Sequence, residues 1–194
     1  MLTTIRDGIA ASITVKQAIL KDDQLISSIE SVATACIAAY HRGNKIILAG
    51  NGGSAADAQH IAAEFVSRFE FDRPGLPALA ITTDTSMLTA IGNDYGYDRL
   101  FARQLEANGR AGDVFIGIST SGNSRNVLAA LERCHTMDIM AVGLAGAGGR
   151  ISEYCDVCLR VPSASTPRIQ EAHIMIGHII CSLVEAAMFT PPSP

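Results

Sequence analysis

Two side chains able to move protons or hold a metal, His60 and Glu64, follow directly on a glycine-rich turn, Gly50-Asn51-Gly52-Gly53-Ser54. On a helix turning about 100° per residue they lie about 40° apart around the axis, so both can point at whatever the turn holds. A second cluster is Ser119-Thr120-Ser121-Gly122-Asn123-Ser124, with four hydroxyls just ahead of a helical segment from about Arg125 to Cys134. Free backbone N–H groups and the positive end of the helix dipole favour an anion there. Capping explains one or two of those hydroxyls but not four, which points to a bound phosphate monoester. The turn lacks the Gly-Lys-Ser/Thr of a Walker loop, and Gly50-Asn51-Gly52-Gly53 does not satisfy G-x-G-x-x-G.

The elements that must position these groups follow from periodicity. Apolar residues recur at three and four from about Thr4 to Arg42, broken at Asp22-Asp23, which predicts two helices, the second amphipathic over about 24 to 41. This pair is expected to pack outside a sheet or against another subunit. Short apolar runs then follow at Lys45-Ala49, Ala78-Ile81, Asp113-Ile118, Ile139-Leu144 and Val157-Val161. Each but the last leads into a Gly, Ser or Thr turn and a helical segment, the alternation of a parallel sheet covered on both faces. A final helix is predicted from about Pro167 to Phe189, with Thr166 as N-cap and Pro167 at its first position. The expectation is one domain over 1–194, with a disordered tail at 190–194 that includes Pro191-Pro192-Ser193-Pro194.

With 194 residues, 48% hydrophobic and 18% charged, the chain suits one soluble globular domain. A formal charge of −4 without a basic stripe argues against direct nucleic-acid binding. No basic segment followed by an apolar run opens the chain, and the apolar run Ile174 to Phe189 is interrupted by His178 and Glu185 and too short to span a bilayer. The expected location is the cytoplasm, without membrane attachment. Five cysteines, an odd count, argue for free thiols, and although Cys155-Asp156-Val157-Cys158 matches C-x-x-C, no second pair follows and it reads as the start of a strand.

Gly50 to Ser54, His60-Ile61-Ala62-Ala63-Glu64-Phe65, Thr82-Thr83-Asp84, Ala90 to Tyr97, Ser119 to Ser124, and Arg168-Ile169-Gln170-Glu171-Ala172-His173 with Gly177-His178 together resemble the phosphoheptose isomerase family of the sugar isomerase (SIS) domain. The resemblance covers nearly the whole chain. It implies a three-layer α/β sandwich, SIS-type and Rossmann-like, with a five-stranded parallel sheet flanked by helices and an N-terminal helical pair. It also implies interconversion of sedoheptulose 7-phosphate and D-glycero-D-manno-heptose 7-phosphate, feeding bacterial surface polysaccharide. A homotetramer with sites at subunit interfaces, and one zinc ion per subunit, come with it.

Such an isomerisation needs a base, a proton donor near the oxygens, and a means of holding developing negative charge. The resemblance assigns the base to Glu64 and the acid to His178. Gln170 and His178 lie about 80° apart on the last helix, so that with His60 and Glu64 two nitrogen and two oxygen donors can close around one divalent ion. The donor set alone leaves zinc, manganese or cobalt open, and the resemblance selects zinc. Asn51, Gly52 and Gly53 match a first substrate turn, Asn93 and Asp94 a second substrate loop, and Arg68 a ligand-contacting position. Ser119, Thr120, Ser121 and Ser124 would bind the phosphate, with Glu64 and Gln170 also touching substrate. Pro167 stands where some members have Asp, so a proton shuttle at that place is absent or replaced. His41, His135 and His173 read as structural, His173 lying about 140° from His178 around the helix.

A non-catalytic scaffold with the same domain, related to the replication-initiator-associating protein, is the alternative from another class. It lacks the carboxylate at the Glu64 position and the imidazole at the His178 position, both of which this chain carries. An isomerase of another sugar phosphate is the second alternative.

Overall fold

The computed structural model describes residues 1–190; the proline-rich tail expected to be disordered lies, from 191 on, outside the described residues. Five parallel strands, β1 (Ile46–Gly50), β2 (Ala78–Ala80), β3 (Val114–Ser119), β4 (Met140–Ala145) and β5 (Val157–Arg160), form one sheet in the order β2-β1-β3-β4-β5. Seven helices accompany them: α1 (Leu2–Leu20), α2 (Asp23–His41), α3 (Gly53–Val66), α4 (Thr85–Tyr95), α5 (Leu100–Asn108), α6 (Arg125–His135) and α7 (Thr166–Met188).

Alternation along the strands divides the core in two. Ile46 and Leu48 of β1, with Val114, Ile116 and Ile118 of β3, pack beneath α2, α3 and α7. Ile47 and Ala49, with Phe115 and Ala141, face Leu100, Phe101 and Leu105 of α5 and Val127, Ala130 and Leu131 of α6. This is the three-layer sandwich expected from the run of elements, and β1 and β3 are buried on both faces as central parallel strands require.

Three details depart from the sequence reading. β4 leads not into a helix but into a loop and a single 3-10 turn, Ile151–Glu153; the linking Gly146, Gly148 and Gly149 are poor helix formers, and Gly149 takes φ +84°. The α7 N-cap is Ser165, not Thr166, and its side chain makes no capping bond. By length and composition α7 is also apolar enough to cross a membrane, contrary to the expectation from the interrupted run. Its inner face, Ile169, Ala172, Ile176, Ile180 and Val184, is buried in this chain's own core.

The N-terminal pair divides its work. Asp22 caps α2 by accepting from Leu25 N at 3.0 Å, and Leu25, Ile29, Val32 and Cys36 bury α2 against the sheet. In α1 only Ile19 is buried, and Leu2, Ile5, Ile9 and Ile13 form an exposed stripe at helical spacing. Arg168 ties α1 to α7 by donating to Gly8 O, and pairs with Glu171 at 2.7 Å.

Candidate active site

In a parallel sheet of order 2-1-3-4-5 the connections leave β1 and β3 in opposite directions, so a crevice opens beyond their carboxyl ends. Both sequence clusters fall there: the glycine turn continues β1 into α3, and the serine turn continues β3 into α6. Gly52 has φ +56°, a conformation that favours glycine, and a Cβ on Gly53 would collide with the Gln170 amide. The bare Gly53 lets the Gln170 side chain approach the start of α3.

The two turns are joined by side chains. Asn51 and Asn126 exchange amide hydrogen bonds at 2.9 Å, and the Tyr97 hydroxyl donates to Asn51 Oδ1 at 2.9 Å. Within the serine turn, Ser119 Oγ lies 2.8 Å from Ser124 Oγ and 3.4 Å from Ser121 Oγ, and accepts from Ser124 N at 3.3 Å. Ser124 holds the N-cap position of α6 but makes no side-chain capping bond, and α3, whose N-cap is Gly52, likewise has none. The expectation that a serine hydroxyl caps this helix is therefore corrected. Instead the hydroxyls gather around one another at the uncapped end, where N–H groups and dipole favour an anion.

Further along, α3 and α7 run side by side in the same direction. His60 Nε2 stands 2.9 Å from His178 Nε2 and 3.1 Å from Glu64 Oε1. All three ligand atoms lie within 4.8 Å of one another. Bonds of about 2.0–2.2 Å in a tetrahedral zinc site place donor atoms about 3.3 Å apart, so two imidazole nitrogens and a carboxylate oxygen at these separations fit zinc with one position open. The Phe69 ring lies against His178, with centroids 5.4 Å apart. Asp57 Oδ2, one turn before His60, is buried without a hydrogen-bond partner among the described residues, and burial raises the Asp57 pKa against the opposing effect of His60.

Not every candidate residue is gathered here. Gln170 lies eight residues before His178, about 12 Å along the helix axis, and its amide packs at Gly53 rather than beside the His60–Glu64–His178 trio. Asn93 and Asp94 are exposed on α4 and bond to each other at 2.8 Å. Arg68 is exposed just past the end of α3. His173 is fully buried on α7, away from the trio, as its angle around the helix predicted.

The residues that sequence reasoning missed are those that hold the site. Asn126 bridges the turns and Phe69 backs His178. Arg73 donates to Glu64 O at 2.8 Å and Phe65 O at 2.6 Å while paired to Glu185 at 2.8 Å. Tyr97 was visible inside the stretch from Ala90, but nothing in the spacing linked it to Asn51.

The SIS domain model matches residues 11–146 of the chain. The phosphoheptose isomerase of Aneurinibacillus thermoaerophilus is 68% identical over 186 residues, covering 95% of this chain and 94% of that protein. This chain is a member of the phosphoheptose isomerase family. Phosphoheptose isomerase 2 of Campylobacter jejuni is 64% identical over 95% of the chain and 92% of its own length. Among solved structures, the phosphoheptose isomerase of Neisseria gonorrhoeae superposes with a TM-score of 0.89 at 44% identity, covering 95% of this chain and 98% of that one. The Francisella tularensis phosphoheptose isomerase gives a TM-score of 0.91 at 35% identity over the same shares. The SIS fold seen here is thus that of the phosphoheptose isomerases.

Proposed function

We propose that the chain is an aldose-ketose isomerase converting sedoheptulose 7-phosphate to D-glycero-D-manno-heptose 7-phosphate, the first step of bacterial heptose biosynthesis. The observation that carries this reading is the meeting of Glu64 with His60 and His178 in a chain so similar to named phosphoheptose isomerases. The scaffold alternative finds no favouring observation.

The serine turn, through Ser119, Thr120, Ser121 and Ser124, takes the 7-phosphate at the start of α6. Asn51, Gly52 and Gly53, with Gln170, line the sugar's path, and the Asn51–Asn126 bond keeps the two turns in register. Glu64 removes a proton from C1 of the ketose. The C–H electrons form the C1–C2 double bond while the C2 oxygen takes a proton from His178, giving the enediol. His178 then takes the O1 proton as Glu64 returns its proton to C2, which completes the aldose and restores both groups. Glu64 Oε1 is the oxygen turned to His60, and a carboxylate's second oxygen remains a proton acceptor.

His60, Glu64 and His178 would hold one zinc ion per subunit and leave its fourth position open, because Gln170 of the same chain lies at Gly53, too far along α7 to reach it. When bound, the ion supplies Lewis-acid stabilisation of negative charge on the sugar oxygens. The exposed stripe of α1, the exposure of Leu79, Tyr95 and Tyr97, and the absence of buried residues in α4 support a homotetramer with its sites at subunit interfaces. Arg68, Asn93 and Asp94 then join the site of a neighbouring copy. Each subunit is a single SIS domain, its N-terminal helices used in assembly, and works in the cytoplasm.

The test is NMR of the purified protein with sedoheptulose 7-phosphate in deuterated water, before chelation, after it, and after zinc return. The expected result is formation of the heptose 7-phosphate, lost on chelation and regained with zinc. No conversion by zinc-loaded protein would overturn the reading in favour of the scaffold or another sugar phosphate.

A further inference from the structure

The cysteines fall into two kinds. Cys36, Cys134 and Cys181 are buried, and burial pushes the Cys36 and Cys134 thiols up to about 12. Cys155 and Cys158 are only partly buried, and both pack against the same apolar cluster, on the α5–α6 side of the sheet.

They flank the bend that leads into β5, an edge strand paired only with β4. A Cβ on Gly143 would meet Cys155 Sγ at 2.9 Å and Ile151 Cγ1 at 3.0 Å, so the missing side chain is what seats Cys155. The Cys155 thiol donates to Ile151 O at 3.2 Å, and Cys158 stands opposite Gly143 in the β4–β5 register, so the two cysteines meet at that glycine. Both residues line a polar cleft of about 500 Å³ with Gln24, Ser28 and Ser152, a volume that holds a small thiol compound. The neighbouring Cys155 thiol, and then the Arg160 charge, lower the Cys158 pKa, while Cys158 and burial raise that of Cys155. One thiol is thus prepared to attack, and the other is poised to resolve.

We propose that Cys155 and Cys158 are a reactive dithiol that small-molecule disulfides close into an intramolecular disulfide, and that closure loosens the loop behind the serine turn. The Cys158 thiolate attacks one sulfur of the small disulfide, forming a mixed disulfide and expelling one thiolate. Cys155 gives its proton to solvent and attacks the Cys158 sulfur, forming the Cys155–Cys158 bond and expelling the second thiolate. Two protein thiols are oxidised, and one disulfide is reduced to two thiols.

The route to the serine turn is short. Arg160, two residues beyond Cys158 on the same strand face, donates to Gly148 O at 2.7 Å, Gly149 O at 2.9 Å and Ser152 Oγ at 2.9 Å. That loop in turn braces the serine turn. Gly146 N donates to Thr120 O at 3.1 Å, and Arg150 N to Gly122 O at 3.0 Å and Asn123 Oδ1 at 3.1 Å. Closing the disulfide removes the Cys155 bond to Ile151 O and draws on β5 beside Arg160.

The experiment treats reduced, full-length protein with oxidised glutathione, maps its peptides, and measures inorganic phosphate affinity before and after. The expected result is a Cys155–Cys158 disulfide with loss of two hydrogens. In Cys155→Ser the reaction stops at a glutathione adduct on Cys158. Phosphate binding weakens several-fold on oxidation and returns with dithiothreitol. Absence of the disulfide, or an adduct that fails to form on Cys158 in Cys155→Ser, overturns the dithiol. A disulfide with unchanged phosphate affinity overturns the link to the turn. That link rests on the phosphate reading above: reduced protein that binds no phosphate would sink both, while the peptide map still decides the dithiol.

Discussion

The two faces of α7 carry the same residue types to opposite ends. On one face His178 is partly exposed, turned to His60 and within reach of Glu64. On the other, His173 is fully buried, its ring nitrogens without a well-formed hydrogen bond among the described residues, and burial lowers its pKa to about 4 against the opposing effect of the Ala145 backbone. Glutamates divide in the same way. Glu64 reaches the trio from α3, whereas Glu185 of α7, 1% exposed, accepts from Phe69 N at 2.8 Å, Glu70 N at 2.6 Å and Arg73 Nε at 2.8 Å. Residue type sets what a group can do, and the face it occupies decides whether it does chemistry or holds the frame.

The sharpest break of this contrast is Glu64→Gln. The change keeps shape and removes the base, so turnover should fall by about 10²–10⁴-fold or more with the thermal midpoint unmoved. Near-normal turnover in the proton-exchange assay would deny Glu64 that role. Glu185→Ala should do the reverse. Removing one partner of a buried ion pair costs about 3–5 kcal/mol of stability, read in urea unfolding. An unchanged midpoint would mean that the Arg73–Glu185 clasp is not what secures the end of α3.

The smallest expected effect concerns His173. Its folded pKa of about 4 lies below the ordinary 6.5, so between those values the unfolded chain binds more protons. The stability from keeping this ring neutral is full above pH 6.5 and is lost as pH falls toward 4, about 2 kcal/mol between pH 7 and 5. His173→Leu should flatten that part of the stability profile without altering metal binding. A profile with the same slope in the variant would place the acid sensitivity elsewhere.

Much of this was legible along the chain because its signals are local. The strands at β1, β3 and β4 read as apolar runs ending in Gly or Ser, since a central parallel strand must be apolar on both faces. His60 and Glu64 declared themselves by helical spacing, and the serine turn by its excess of hydroxyls. The missing helix after β4 was not legible, because a glycine-rich turn also leads from β1 into α3, and the two turns differ in the path the folded backbone takes. Ser165 in place of Thr166 as N-cap shifted only an end, where alternatives one residue apart differ little in energy.

What sequence alone determined is the inventory and its local spacing: which turns precede which helices, and which pairs share a helix face. Tertiary structure decided which faces meet. It alone set His178 against His60 across 118 residues of chain, left Gln170 at Gly53 rather than at the trio, and brought Cys155 onto Gly143 beside Cys158. Local spacing is fixed by backbone geometry, which every residue shares. Contacts between distant segments come from burying two particular apolar faces together, and no local pattern states which two those will be.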